Sequence, residues 1–243
     1  MKVAVITPYY KEPLTQLRQC IQSVRDQSIP CTHILVADGH AKSAIKMTGK
    51  MEHVILPKSN KDAGNTPRGI GGILADSWGF DAVCYLDADN WYEPDHVARL
   101  IQHHKDTAYP LITCKRRFFT LGEEVMNYSE FHEMQNMHVD TNCWFIARPA
   151  FSLLPIWCMP KELGPVGDRV FFQKAKYDKF EIGFTDARTV AYRTAHAIHY
   201  IEAGHQPHPS AKGSIDFAVV RRYLLDPANH AALLSKFGFI PSL

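Results

Sequence analysis

Asp87 and Asp89 stand one residue apart, directly behind the apolar run Ala82-Val83-Cys84-Tyr85-Leu86. Two carboxylates spaced this way on a turn can share one hard cation through oxygen and leave coordination positions open for phosphate oxygens. That donor set suits Mg2+ or Mn2+ with a diphosphate. Another carboxylate, Asp38, follows Ile34-Leu35-Val36-Ala37, where it could accept hydrogen bonds from a ribose or base. His196, His199, His205 and His208 crowd one stretch of a chain that has 13 histidines. No HExxH or Cys/His zinc spacing accompanies them, so hydrogen-bonded structural roles are the plain reading.

Such groups need elements that hold them at one edge. The first half alternates β-branched runs with segments of helical period, which is the pattern of an α/β fold with a mostly parallel, open sheet flanked by helices. Strands are expected at 3–6, 34–37, 54–56 and 82–86, with helices where Leu14, Leu17, Ile21 and Val24 share a face, from Thr66-Pro67 onward, and over 94–101. Thr66 is a candidate cap for the second of these helices. In open parallel sheets ligands bind beyond the carboxyl ends of strands, so Thr7, Pro8 and Tyr9, then Asp38, then Asp87, Ala88 and Asp89 are the residues to watch.

The second half is less regular, with strands expected at 111–114, 143–147 and 190–192 and a helix over 168–176. Asp168, after glycine and before an apolar run, has the look of a helix N-cap. Lys115-Arg116-Arg117 reads as a solvated strand end, or else as a contact for acidic groups. Residues 204–214 (GHQPHPSAKGS) have no apolar period and read as a mobile loop, and two short amphipathic helices split at Asp226-Pro227 close the chain.

At 243 residues the chain can bury one sizeable core, and a single domain is expected. Its 46% hydrophobic and 21% charged residues exclude a disordered or collagen-like chain. Lys+Arg (27) and Asp+Glu (25) nearly cancel without long runs of one sign, which argues against nucleic acid as a partner. No apolar stretch approaches the ~20 residues of a membrane span. A cytoplasmic protein is expected, with peripheral attachment to a membrane left open. Six scattered cysteines without a C-x-x-C pair read as reduced thiols.

An Asp-x-Asp turn alone is a weak signal, since most such turns are simply solvated. Its weight comes from order: VITPYYKE (5–12), VADG (36–39), DAGNTPRGIGG (62–72) and CYLDADN (84–90). This series resembles the family-2 glycosyltransferases of GT-A fold, whose nucleotide-binding half runs I-P-x-Y-N-E, V-D-D-G-S, N-x-G-x-x-x-A-R-N-x-G and L-D-x-D. The resemblance implies that Thr7 and Tyr9, with Pro8 beside them, line a base pocket and that Asp38 binds base or ribose. Arg68 would reach the diphosphate; Asp87, beside Ala88, would meet ribose or metal, and Asp89 would ligate the metal. Tyr10 departs from the family's asparagine, and Gly69-Ile70-Gly71-Gly72 departs from its R-N-x-G spacing. The glycines also have a packing explanation, close approach of helix to sheet.

Downstream, VDTNCWFIARPAF (139–151) resembles the strand after the family's acceptor loop, making Thr141 and Asn142 candidates for sugar contact. GPVGDRVFFQKA (164–175) resembles the G-E-D segment that supplies the base of inverting enzymes, with Asp168 as the aspartate and Gly167 in place of glutamate. His196 resembles a late histidine that serves as third metal ligand, and His199 is its near alternative. The implied division is a nucleotide-sugar half (1–114), an acceptor half (115–203) and a loop with C-terminal helices (204–243). The implied activity is metal-assisted, inverting transfer from a UDP- or GDP-type sugar to an acceptor hydroxyl on a glycan, lipid or small molecule. Two rivals remain: a sugar-1-phosphate nucleotidyltransferase, whose G-x-G-T-R-L signature is missing after the first strand, and a catalytically silent nucleotide-sugar-binding subunit.

Overall fold

A computed structural model describes residues 1–45, 49–128, 138–213 and 216–242. Four strands, β1 (Val3–Tyr9), β2 (Cys31–Asp38), β3 (Met51–Leu56) and β4 (Ala82–Tyr85), run parallel in the order β3-β2-β1-β4. The chain builds outward from β1 and then returns to its other side. The strand order therefore reverses at β1, and the crevice between the carboxyl ends of β1 and β4 is where a ligand site is expected.

The sheet continues through β7 (Trp144–Ala147), β6 (Leu111–Phe119), β8 (Ile182–Arg193) and the short β5 (Trp91–Tyr92) to eight strands. β7 is antiparallel to both β4 and β6, while β6 and β8 pair in parallel. This is the α/β, mostly parallel open sheet that the sequence pattern calls for. β6 and β8 outrun their expected lengths because their outer halves carry polar residues at the edge, which hide the apolar period.

Helices α1 (Leu14–Arg25) and α2 (Asn65–Ser77) cover opposite faces of β1. Neighbouring strand residues point to opposite faces: the Thr7 side chain meets Cys20 of α1, while Ile6 meets α2. The glycines of α2 have a physical reason here. A Cβ on Gly71 would lie 2.6 Å from Ile6 Cγ2, so only glycine allows the helix to sit this close to the strand.

On the other half, α3 (His96–Thr107) packs on β6 and β8, and α4 (Gly167–Tyr177) packs on the 3-10 segment Arg148–Cys158, with Trp157 stacked on Phe171. Short α5 (Ala197–Glu202) leads to α6 (Ala218–Leu225) and α7 (Pro227–Phe237), split as expected at Asp226, whose carboxylate caps Ala228 N at 3.0 Å. All six cysteines are free thiols. Among the described residues no helix is long and apolar enough to cross a membrane.

Candidate active site

A cleft of about 490 Å3 opens at the reversal point. Pro8, Tyr9, Tyr10 and Glu12 enter it from the end of β1, Asp38 from β2, Ser59 and residues 61–64 from the loop after β3, Arg68 from α2, and Asp87, Ala88 and Asp89 from behind β4. Seven expected site residues thus converge: Pro8, Tyr9, Asp38, Arg68, Asp87, Ala88 and Asp89. Thr7 does not join them. It is buried toward α1, with its Oγ1 2.8 Å from His33 Nε2, and burial pushes the His33 pKa down to about 3, so the imidazole is neutral. Thr7 lies inside β1 with its side chain toward α1, whereas Pro8 points to the opposite face and Tyr9 reaches the cleft from the last position of the strand.

Asp38 is held by Ser59 Oγ at 2.9 Å and by Asn60, whose Nδ2 donates at 2.7 Å and whose backbone N donates at 3.0 Å. It anchors the loop that forms the cleft wall. That loop takes left-handed conformations at Lys61, Ala63 and Gly64, with φ of 55°, 58° and 80°. The side chain that receives the free helix N–H is Asp62 rather than Thr66: Thr66 N donates to Asp62 Oδ2 at 2.8 Å. Tyr9 is almost wholly buried, and its hydroxyl lies 2.7 Å from His53 Nε2.

Arg68 forms an ion pair with Asp87 Oδ1, and its Nη1 donates to Ala63 O at 2.9 Å and Asn65 Oδ1 at 3.1 Å. Asp89 makes no ion pair among the described residues, and burial, then Asp87, then Glu12 push its carboxyl up to about 7. Arg193, at the end of β8, donates to the Asp89 backbone carbonyl and holds the turn from behind. An all-oxygen donor set carrying this much repelled negative charge fits a hard divalent cation at Asp89, with Asp87 beside it. Among the described residues no group of three His, Cys, Asp or Glu is arranged to hold a metal.

A second pocket, of about 330 Å3, is built by the other half of the sheet. Asp168, Asp140, Arg116, His138, Arg169 and His196 line it, with Tyr192 and Phe217 as aromatic walls. Asp168 is the second residue of α4 rather than its cap; Val166 takes the cap position, and Arg169 N donates to Asp168 Oδ1 at 2.8 Å. Burial raises the Asp168 pKa; His138 opposes that shift and Asp140 adds to it. Gly167 leaves room for a neighbour, because a Cβ there would lie 2.6 Å from Asn65 Nδ2. His196 stands in this pocket and not in the cleft of Asp89, its pKa lowered first by burial and then by His199. His199 is buried, with Nδ1 2.6 Å from Thr194 Oγ1.

The two pockets share a wall. Lys212 lines the first and Gly213 the second, and Lys212 N donates to Ala195 O at 2.6 Å. The end of the expected loop 204–214 is therefore pinned by backbone pairing; Ser214 lies outside the described residues. Neither Thr141 nor Asn142 faces the cleft. Both are buried in a 3-10 turn, where Asn142 hydrogen bonds to Asp87 and Asp140.

Several site residues escape the sequence reading. Glu12 belongs to the VITPYYKE segment and Asp140 to VDTN, so both carried a local signal. Arg116 did not, because a basic triplet reads as a solvated strand end. Lys115 and Arg117 fit that reading, whereas Arg116 is buried, donates to Asp140 Oδ2 at 2.8 Å and lies over the rings of Phe118 and Tyr192.

Glycosyl transferase family 2 matches residues 4–180. The chain belongs to this family. Succinoglycan biosynthesis protein ExoW of Rhizobium meliloti is 29% identical to this family-2 chain over 109 residues, 42% of this chain and 33% of ExoW. The crystal structure of S. aureus TarS superposes with a TM-score of 0.62 at 16% identity, covering 83% of this chain and 38% of TarS. TarS 1-349 in complex with UDP-GlcNAc gives 0.66 at 13% identity, over 97% of this chain and 67% of that one. The family-2 chain thus spans about a third of ExoW and under two fifths of TarS. At these identities the structures establish a shared fold, the GT-A type.

Proposed function

We propose that this protein transfers a glycosyl unit from a nucleoside diphosphate sugar to an acceptor hydroxyl, with inversion at the anomeric carbon and with Mg2+ or Mn2+ assisting. The observation that carries the reading is the adjacency of two differently equipped pockets. One holds Asp87, Asp89 and Arg68 at the reversal point of a parallel sheet; the other holds Asp168, and the neighbours Lys212 and Gly213 line the first and the second respectively. Family membership and the UDP and UDP-GlcNAc complexes of TarS support a uridine diphosphate sugar as donor.

In this reading Asp168 takes the proton of the acceptor hydroxyl as its oxygen bonds to the anomeric carbon, and the bond from that carbon to the diphosphate oxygen breaks. A pKa raised by burial makes Asp168 a stronger base than a solvated aspartate. Arg68, already fixed by Asp87 and Ala63, presents positive charge at the cleft wall without moving. A divalent cation at Asp89, beside Asp87, would supply charge that offsets the leaving diphosphate. His196, on the Asp168 side, lines the acceptor pocket in this reading.

The test is a panel of UDP- and GDP-sugars with Mn2+, following nucleoside diphosphate and pyrophosphate separately. Release of nucleoside diphosphate supports glycosyl transfer. Pyrophosphate release would mark a nucleotidyltransferase, and binding of UDP without any turnover would mark a silent binding subunit.

A further inference from the structure

The two pockets are joined by an unbroken polar chain that passes through one amide. Asn142 is fully buried. Its Oδ1 accepts from Asp87 N at 2.6 Å, and its Nδ2 donates both to Asp87 Oδ2 at 3.1 Å and to Asp140 Oδ1 at 2.7 Å. Its own backbone N donates to Asp140 Oδ1 at 2.9 Å, and its carbonyl accepts from Tyr92 Oη at 3.1 Å. On the donor side Asp87 continues to Arg68. On the acceptor side Asp140 continues to Arg116, clamped over Phe118 and Tyr192.

A planar amide is the side-chain group that accepts at one end while donating twice at the other. Two carboxylates sharing a buried neighbour would repel each other; the Nδ2 hydrogens between them turn that repulsion into two hydrogen bonds. Asp87 lines only the first pocket and Asp140 only the second. Asn142 lines neither, so its contacts serve the carboxylates and not a ligand.

We propose that Asn142 is a positioning residue that locks Asp87 and Asp140 to one another, so that the geometry of the donor cleft depends on the acceptor pocket through this side chain. The proposal rests on the glycosyl-transfer reading for what the two pockets do. It adds that they are set as a unit: disturbing Asp140, which does not line the donor cleft, alters UDP binding.

The test is a double-mutant cycle on the whole chain with Asp140→Asn and Asn142→Leu, measuring UDP affinity by calorimetry with Mn2+ and turnover of UDP-GlcNAc. Asp140→Asn alone is expected to weaken UDP binding several-fold, and Asn142→Leu by roughly 10-fold, the size usual for loss of a group that orients a ligand-binding side chain. In the Asn142→Leu background Asp140→Asn has no further effect on UDP affinity. Leucine matches the branched shape of asparagine, so a packing role alone would leave UDP affinity unchanged. Should Asn142→Leu fail to fold, Asn142→Ser takes its place in the same cycle. Independent effects in the two backgrounds, or a UDP affinity indifferent to Asp140→Asn, overturn the proposal. A wild-type protein that binds no UDP overturns the functional reading with it, whereas wild-type binding with independent effects overturns this inference alone.

Discussion

Each of the two pockets treats its carboxylates in two opposite ways. Asp38 and Asp87 are already satisfied, the first by Ser59 and Asn60, the second by Arg68 and Asn142, and both hold the cleft in shape. Asp140 is held in the same way by Asn142 and Arg116. Asp89 and Asp168 make no ion pair among the described residues, and burial raises the pKa of each. The difference separates frame from function. A carboxylate with its hydrogen bonds filled by protein builds the site, and one left poised against its surroundings is available for a cation or a proton.

The sharpest way to break this division is to remove the charge from one member of each class. Asp168→Asn keeps volume and is expected to lower transfer by about 10^2–10^4-fold, the range for loss of a general base, while UDP affinity stays within about twofold. A loss of UDP affinity equal to the loss of rate would mean that Asp168 is frame. Asp89→Asn is expected to weaken UDP binding in Mn2+ by roughly 10–100-fold and to have little effect in chelator. Equal loss with and without Mn2+ would take the cation away from Asp89.

The frame has its own test. Gly71→Val puts a branched side chain where Ile6 Cγ2 already lies 2.6 Å from a Cβ. Overpacking of this kind costs about 1–3 kcal/mol, which thermal or urea unfolding would read directly. An unchanged Tm would mean that α2 moves off the sheet freely.

Asp89 sharpens the comparison through pH. Its folded value of about 7 lies above 3.8, so the cation-free native state keeps a proton that the unfolded chain has released, and stability from this group falls as pH rises from 3.8 through 7. A divalent cation competes with that proton. The rise in Tm on adding Mn2+ and UDP is therefore larger at about pH 8 than at about pH 5.5, by about 2–4 °C. A shift independent of pH would remove Asp89 from the cation site.

The same contrast explains what the residues disclosed on their own. The first pocket follows one rule, carboxylates at the carboxyl ends of β2 and β4, so Asp38, Asp87 and Asp89 could be read from the order of apolar runs. The rule gives the edge of the sheet but not the depth: Thr7 lies inside β1 against α1, whereas Tyr9, on the same face, ends the strand at the cleft. The second pocket draws Arg116 from β6, Asp140 from a turn, Asp168 from α4 and His196 from the start of α5, residues with no common spacing. Asp168 and Asp140 each sit in a motif-like segment, GPVGD and VDTN, whereas Arg116 becomes visible only once β6 and β8 pair. Asn142 has the right neighbourhood but turns inward to the carboxylates, and Thr141 is buried beside it.

The measurement that bears most directly on the account is a crystal structure of the protein with Mn2+ and UDP, using anomalous scattering to locate the ion. The account predicts one Mn2+ at Asp89, beside Asp87, with diphosphate oxygens completing its shell and Arg68 facing them. UDP bound elsewhere, or UDP in the cleft with no ion at Asp89, would contradict it.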